Sequence, residues 1–315
     1  MGAHRLPSAR LPTARAYGPS RRTPGRPDLH CPPYAGSDAR LIALVAHDAG
    51  DGSPTMMRRA FACAVLALLG GCAHPPPQTL RFEHPVVLLG EVHDNAAQHA
   101  LRLQAFEDWL ARGGRPALVM EQLDRERQPA IDALRATVPP PDADALIAAV
   151  GGKGWDWRHY RPFVALALQH DLPLVAANVS RVDARRVMRE GLQATGFDPA
   201  VPADLLQALA QDIEDSHCGT LDAPTARRMA LAQVARDQAM AQAVDRHADR
   251  GVLLLAGNGH VRIDAGVPRW LSPAVRARSE AIGLLESENR GRGRYDRVLV
   301  TATQERPDPC AGMQR

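Results

Sequence analysis

The chain has 315 residues, of which 45% are hydrophobic, 23% charged and 4% aromatic, and its formal net charge is +3. This composition is typical of a globular protein. Nine Arg and only four acidic residues lie within residues 1–71, which leaves 29 basic and 31 acidic residues for the rest of the chain. Binding to nucleic acid, which calls for a basic face, is therefore not expected.

Residues 1–55 are rich in Pro, Arg, Gly and Ser and lack helical or strand periodicity, which predicts a disordered segment. Residues 56–71 have the features of a secretory signal peptide, with two Arg, an apolar run too short to span a bilayer, and small residues at the end. Because a signal peptide stands at the N-terminus, we expect translation to begin at Met56 or Met57. Residues 1–55 would then be an upstream extension.

Leu69-Gly70-Gly71-Cys72 resembles the lipobox of bacterial lipoproteins, in which the Cys is acylated, for example with palmitate, and becomes the first mature residue. Several acyl chains on one Cys give stable anchoring. We therefore expect residues 72–81 to be a lipidated tether and residues 82–315 to be the folded domain. By resemblance to sorted lipoproteins, Ala73 favours the outer membrane, with the domain facing the periplasm. A generic secretory signal or a buried core helix is the alternative.

Two cysteines are left for the mature domain once the N-terminal ones are assigned. Cys31 lies upstream, Cys63 lies in the removed apolar run and Cys72 is lipidated. Because disulfides form in oxidising compartments, we expect Cys218 and Cys310 to pair and so tie the C-terminal tail to a loop. Two free thiols are the alternative, because a sequence gives no Cα separation.

The first half of the domain alternates short apolar runs with helical patterns. A buried strand is predicted over residues 85–90, a helix over 97–112 and a second strand over 116–120. Residues 125–150 have a helical pattern interrupted by Pro139-Pro140-Pro141. A helix over 160–170, with Pro162 in its first turn, precedes a third strand over 172–177.

The second half continues this alternation. Ser180 is predicted to cap a helix that runs to about Leu192, and residues 193–221 are ambiguous. A long helix over 224–248 is followed by strands over 252–256, 278–285 and 295–301. Strand–helix alternation predicts an α/β fold with a mostly parallel central sheet flanked by helices on both faces.

Two of the predicted strands run into nearly the same phrase. The first leads into Gly90-Glu91-Val92-His93 and the fourth into Gly257-Asn258-Gly259-His260, while Glu121 follows the second strand. Ligands of open α/β sheets bind beyond the carboxyl ends of the strands, so these side chains are expected to converge. Two His and two Glu suit metal binding or acid–base chemistry. Either phrase alone is also common in loops without a function.

Two further groups are candidates for function. Trp155-Asp156-Trp157-Arg158-His159-Tyr160 concentrates aromatic residues that could line a flat apolar ligand, with His or Tyr on iron. A packing role in the core is the alternative. On the long helix, Asp237 follows Arg236 and falls on the apolar face, where a buried carboxylate needs a partner. It would orient a site His or satisfy a structural Arg.

These phrases together resemble the ChaN-type family of haem-binding lipoproteins, within the Tiki/TraB/erythromycin-esterase superfamily. The resemblance covers about residues 82–302 and rests on the two Gly-x-x-His phrases, Val119-Met120-Glu121-Gln122, Gly154-Trp155-Asp156-Trp157 and Arg236-Asp237-Gln238-Ala239-Met240-Ala241. Cys218 and Cys310 also match positions of ChaN-like chains.

The resemblance implies a haem-binding protein of iron acquisition, with haem shared between two copies in a homodimer. No ligand to iron is matched by motif, and chemistry alone makes Tyr160, His159 and His217 candidates, with Trp155 and Trp157 against the ring.

The wider superfamily also implies a metal-dependent hydrolase of peptide or ester bonds. Glu91, His93, Glu121 and His260 would then be catalytic and Arg236 an electrostatic helper. In that case Glu91, His93 and His260 are the candidate ligands of a divalent metal. The residues alone do not decide between a binding protein and an enzyme.

Overall fold

The computed structural model describes residues 79–287, 291 and 293–311. All described residues belong to one compact unit of the chain. The predicted disordered segment, the signal peptide, Cys72 and most of the tether lie outside the described residues. No helix within the described residues is long and apolar enough to cross a membrane.

A six-stranded sheet forms the centre of the domain. Its strands are β1 (Val86–Leu89), β2 (Ala117–Asp124), β3 (Leu174–Asn178), β4 (Val252–Leu255), β5 (Ser279–Leu285) and β6 (Arg297–Val300). Their order across the sheet is β3-β2-β4-β1-β5-β6, and every described pairing is parallel. The expectation of a mostly parallel sheet is confirmed, and the continuous Val and Leu runs of β1 and β4 fit strands that are buried on both faces.

Eight α-helices lie among the described residues. They are α1 (Ala96–Ala111), α2 (Gln128–Arg135), α3 (Ala143–Val150), α4 (Trp157–Gln169), α5 (Arg181–Ala194), α6 (Ala203–Ser216), α7 (Ala223–His247) and α8 (Pro273–Arg276). Successive residues of a strand point to opposite faces. Val87 therefore packs with Phe106 of α1 and Phe163 of α4, whereas Leu88 packs with Met240 of α7. Both faces of the sheet are covered, as predicted, and α5 and α6 pack on the outer side of α7.

Two boundaries that bear on the site differ from the predictions. Strand β2 runs on to Asp124, so Glu121 lies within it. Helix α4 begins at Trp157 because the Asp156 side chain accepts a hydrogen bond from the Arg158 N–H and caps the helix there. Pro162 consequently lies in the helix interior and not in the first turn. The ambiguous residues 193–221 contain α6.

A disulfide joins Cys218, in the turn after α6, to Cys310 in the C-terminal segment, with Cα atoms 5.7 Å apart. It closes a long loop of the chain, since 92 residues separate the two cysteines in sequence. The C-terminal segment is held a second time by Arg306, which forms ion pairs with Asp94 and Glu286. The segment is therefore fixed next to the carboxyl end of β1.

Candidate functional site

A cleft of about 1080 Å³ opens at the carboxyl ends of β1, β2 and β4, which lie side by side in the sheet. The order of the strands brings His93, Glu121 and His260 into its lining, as the two similar phrases predicted. We call this space the first cleft. Its remaining wall comes from the loop before α4, the start of α5, the end of β2 with the turn that follows it, and α7.

Two glycines allow the loops after β1 and β4 to approach each other. A Cβ on Gly257 would lie 2.8 Å from His93 Cε1, and a Cβ on Gly90 would lie 2.3 Å from Asn258 Oδ1. Asn258 in turn donates to the Leu284 carbonyl at 2.6 Å and accepts from the Leu284 N–H at 3.1 Å. The loop that carries His260 is therefore fixed to β5, and any larger residue at these glycines would displace it.

The carboxylate of Glu91 is at the centre of a buried polar group. Arg102 of α1 is fully buried and forms an ion pair with it, and the Tyr160 hydroxyl donates a hydrogen bond to Oε1. His93 Nδ1 lies 2.9 Å from the same oxygen. Burial lowers the pKa of Arg102 to about 10, so its guanidinium is charged at neutral pH. The Glu91 carboxylate thus faces three donors, from Arg102, Tyr160 and His93.

His93 presents one ring nitrogen to the first cleft. Its side chain is 51% exposed, and its ring stands edge-on to Trp155 with the centroids 4.9 Å apart. Because a carboxylate can only accept, His93 Nδ1 is the donor to Glu91, and in the tautomer that this contact selects Nε2 carries the lone pair. Nε2 has no hydrogen-bond partner within the described part of the chain. It is therefore available to a ligand.

Behind this ring, His99 is buried and neutral. Its Nε2 lies 3.0 Å from the His93 carbonyl oxygen, and its ring stacks on His159 with the centroids 4.2 Å apart. Burial lowers the pKa of His99 to about 4. The backbone of His93 is therefore held by His99, while Glu91 orients its ring.

His260 lies between two carboxylates. Its Nδ1 is 2.5 Å from Asp237 Oδ1, and its Nε2 is 3.4 Å from Glu121 Oε1. Burial alone would lower the pKa of His260, but the charges of Glu121 and Asp237 outweigh it and raise that pKa to about 10. The same contact lowers the pKa of Glu121 to about 2 against the opposing effect of burial. The Gln233 Nε2 amide also lies 3.1 Å from His260 Nε2, so this imidazole is enclosed by two carboxylates and one amide.

The set Glu91, His93 and His260, expected as metal ligands, is not assembled as such. Glu91 is occupied by Arg102 and Tyr160, and both nitrogens of His260 face carboxylates. No group of three or more His, Cys, Asp or Glu among the residues with assigned positions is arranged to hold a metal ion. A metal ligand must offer a lone pair, and the contacts just described already engage Glu91 and His260.

The aromatic cluster is split by the start of α4. Trp155, His159 and Tyr160 line the first cleft, but Trp157 does not: its Nε1 donates to the Gly152 carbonyl at 3.0 Å and its ring packs on the core. The packing role is thus the outcome for Trp157. Burial raises the pKa of Tyr160, whose side chain is 1% exposed and already donates to Glu91.

His217 lies apart from the other candidate ligands to iron. It is exposed at the end of α6, where its Nδ1 is 2.8 Å from the Ile213 carbonyl oxygen. It lines a second cleft of about 820 Å³ together with Met188 and Met229. Arg236 lines both clefts, and its Nη1 donates to Gln233 Oε1 at 3.1 Å.

Arg102 and His99 were missed in the sequence. The buried residues of α1 include Gln98, His99 and Arg102. The polar positions 98, 99 and 102 share one face with the buried Ala105 and Phe106, at helical spacing, and this is the signal that could have revealed them.

The sequence profile of the family described as "Haem-binding uptake, Tiki superfamily, ChaN" matches residues 82–271. This is more than half of the chain and includes both Gly-x-x-His phrases. The chain belongs to the ChaN family. The resemblance expected from its motifs is thereby confirmed.

The fold of this ChaN family member is similar to that of solved structures. ChaN of Campylobacter jejuni, in a structure described as "Cofacial heme binding", is 20% identical, with a TM-score of 0.58 over 76% of this chain and 91% of that chain. A Bacillus cereus protein and an erythromycin esterase, EreC in its open conformation, are each 12% identical, with TM-scores of 0.37 and 0.35. Each covers 64% of this chain, which itself covers 65% and 70% of them.

The similarity to the Campylobacter protein shows a shared fold, and the other two are too distant to support an argument. No match to the chain was found among curated proteins.

Proposed function

We propose that this ChaN family member binds haem in the first cleft and takes part in haem or iron acquisition. The observation that carries the proposal is His93, whose Nε2 faces a cleft of about 1080 Å³ beside the ring of Trp155. A porphyrin is flat and apolar, and an aromatic side chain against its face or edge is favourable. Haem iron accepts a neutral imidazole nitrogen.

The surroundings of His93 favour it over the candidates chosen from the sequence. A carboxylate on Nδ1, here Glu91, is the usual partner of a metal-binding His, because it sets the tautomer and raises the basicity of Nε2. Tyr160 would have to become a tyrosinate, which its raised pKa and its hydrogen bond to Glu91 oppose. His159 is a second candidate in the same cleft, whereas His217 belongs to the other cleft.

Titration of the full chain with haem in detergent, followed by the Soret absorbance, tests the proposal. Wild type is compared with His93→Ala, His159→Ala, Tyr160→Phe and His217→Ala. His170→Ala, at the far end of α4, is the matched control. We expect saturable binding whose spectrum changes in His93→Ala and is restored by free imidazole.

The outcomes distinguish a wrong assignment of the iron ligand from a failure to bind haem. A saturable shift that is altered in Tyr160→Phe or His217→Ala, and not in His93→Ala, would contradict the assignment of His93 while haem binding stands. Absence of any saturable shift in wild type would overturn the proposed function.

The proposal includes a lipid anchor on Cys72 that holds the domain at the periplasmic face of the outer membrane. The lipobox-like Leu69-Gly70-Gly71-Cys72 supports it, and the Cys218–Cys310 disulfide fits an oxidising compartment. Labelling with palmitate should mark wild type and not Cys72→Ser, and membrane fractionation should find the label in the outer membrane. A labelled Cys72→Ser variant, or an unlabelled wild type in the soluble fraction, would refute this part.

We further propose a homodimer that shares haem between its two copies, as the resemblance to ChaN-type proteins implies. The mass of the protein–detergent complex should double on addition of haem when measured by light scattering. A monomer that is saturated with one haem would refute the dimer and leave the haem site intact.

A hydrolase is the second candidate, because Glu91 and His93 form the oriented pair that a general base requires. Protonated His260 and Arg236 would then stabilise a developing negative charge. Ester and peptide substrates tested with wild type and His93→Ala decide this. Turnover that depends on His93 supports the enzyme, and equal rates in both proteins refute it.

A further inference from the structure

The loop that carries His93 is a tight turn, and other parts of the chain bind both of its ends. The Asn95 N–H donates to the Val92 carbonyl at 2.9 Å and closes the turn around His93. At the start of the turn, the Val92 N–H donates to Gln98 Oε1 at 2.6 Å, and Gln98 Nε2 donates to Thr301 Oγ1 at 2.9 Å. Because the His93 side chain is half exposed, these contacts of its backbone have a large part in placing its ring.

The C-terminal segment, residues 301–311, binds the other end of this turn through Arg306. Its guanidinium donates from Nε and Nη2 to both carboxylate oxygens of Asp94, at 2.6 and 2.7 Å. It also donates from Nη1 and Nη2 to both oxygens of Glu286, at 2.7 and 2.8 Å, and Asn95 Nδ2 donates to the same Glu286 carboxylate at 2.6 Å. Arg306 thus joins the turn after β1 to the carboxyl end of β5, the neighbouring strand.

The disulfide is the second anchor of the C-terminal segment. Residues 302–309 are exposed, and solvent screens the ion pair between Arg306 and the exposed Asp94, so this pair alone holds the segment weakly. Cys310 follows shortly after Arg306 in the chain and is bonded to Cys218 after α6. A segment that is fixed at its far end keeps Arg306 close to the turn, because its contacts then form within one tethered chain. Each of the two anchors therefore strengthens the other.

We propose that the C-terminal segment positions His93 for the haem iron, with Arg306 as the positioning residue and the Cys218–Cys310 disulfide as the distant anchor. The inference rests on the proposed function and adds to it residues outside the first cleft, which act on the iron only through His93. A ligand nitrogen must meet the iron in one geometry, so freedom of the turn lowers the affinity for iron even when the cleft is unchanged. Arg306 suits the role because its planar head binds two carboxylates at once.

Haem and iron-free protoporphyrin IX test the inference together, because only haem has an iron to be ligated. Binding to the full chain in detergent is measured by the Soret absorbance for haem and by quenching of Trp fluorescence for the iron-free porphyrin. Wild type is compared with Arg306→Gln, with Arg306→Lys and with a variant that carries both Cys218→Ser and Cys310→Ser. Arg278→Gln is the matched control, since Arg278 forms an exposed ion pair with Asp249 before β5 begins. Circular dichroism confirms that each variant is folded.

We expect Arg306→Gln and the double cysteine variant to bind haem about tenfold more weakly than wild type, and to bind the iron-free porphyrin within about twofold of wild type. Arg306→Lys should lose less affinity for haem, because an ammonium group still pairs with one of the two carboxylates. Arg278→Gln should bind both ligands as wild type does. In a His93→Ala background, Arg306→Gln should have no further effect on haem binding, since its effect passes through His93.

Haem binding by Arg306→Gln with the affinity of wild type would overturn the inference alone. A loss of equal size for the iron-free porphyrin, or a loss that persists in the His93→Ala background, would do the same, because the segment would then act on the cleft and not on His93. Wild-type affinity in the double cysteine variant would overturn the part played by the disulfide. Failure of wild type to bind haem would overturn the proposed function and this inference together.

Discussion

Arg102→Met removes the partner of a buried carboxylate and leaves the packing of α1 almost unchanged. The Arg102 side chain is fully buried and Glu91 is 2% exposed, so no water replaces the lost guanidinium. Breaking a buried ion pair on one side costs about 3–5 kcal/mol, because the remaining charge stays desolvated. Tyr160 and His93 still donate to Glu91, which places the expected loss of unfolding free energy towards the lower end of that range.

Urea unfolding followed by far-ultraviolet circular dichroism measures this loss. With an m-value of about 3 kcal/mol/M, the midpoint should fall by roughly 1 M. Glu91→Gln combined with Arg102→Met should recover most of the loss, since it also removes the buried charge. Arg112→Met, at the exposed end of α1, is the control. If Arg102→Met loses no more than this control, the reasoning is refuted.

Two pH effects and one steric effect follow from the same site. The pKa of His260 rises from 6.5 to about 10 on folding, so the stabilisation that this residue gives is complete below pH 6.5 and is lost as the pH rises through 10. His260→Gln should therefore flatten the decline of the melting temperature at alkaline pH. An unchanged decline would contradict this. The pKa of His99 falls to about 4 on folding, so the stabilisation that neutral His99 gives is present above pH 6.5 and is lost as the pH falls towards 4. His99→Gln should therefore flatten the decline of the melting temperature at acid pH. An unchanged decline would speak against this. Gly257→Ala places a Cβ 2.8 Å from His93 Cε1 and should weaken haem binding. Gly259→Ala, with open space around the new Cβ, should bind haem as wild type does. Equal haem affinities of the two variants in a Soret titration would show that Gly257 is not needed to keep space beside His93.

The strand ends were predictable because their signals are local. Apolar runs locate β1 and β4, and the phrases that follow them place His93 and His260 at the carboxyl edge of a parallel sheet. Strand order then makes these two neighbours, with Glu121 of β2 next to them. The principle that ligands bind beyond this edge was enough to find the cleft.

The states of the side chains were not predictable, because they depend on contacts between distant parts of the chain. Nothing in the phrase around Glu91 shows that Arg102 neutralises it, since the pair forms only when α1 packs on the sheet. Trp155 and Trp157 are two residues apart, yet only the first lines the cleft, because the second is in the first turn of α4 and binds the Gly152 carbonyl. The charge of His260 likewise requires Asp237 from α7.

The most direct test of the haem site is a crystal structure of the full chain with haem, with anomalous diffraction recorded at the iron edge. We expect one iron peak per chain in the first cleft, beside His93 Nε2. An iron peak beside His217 in the second cleft, or haem bound only at the surface with both clefts empty, would contradict it.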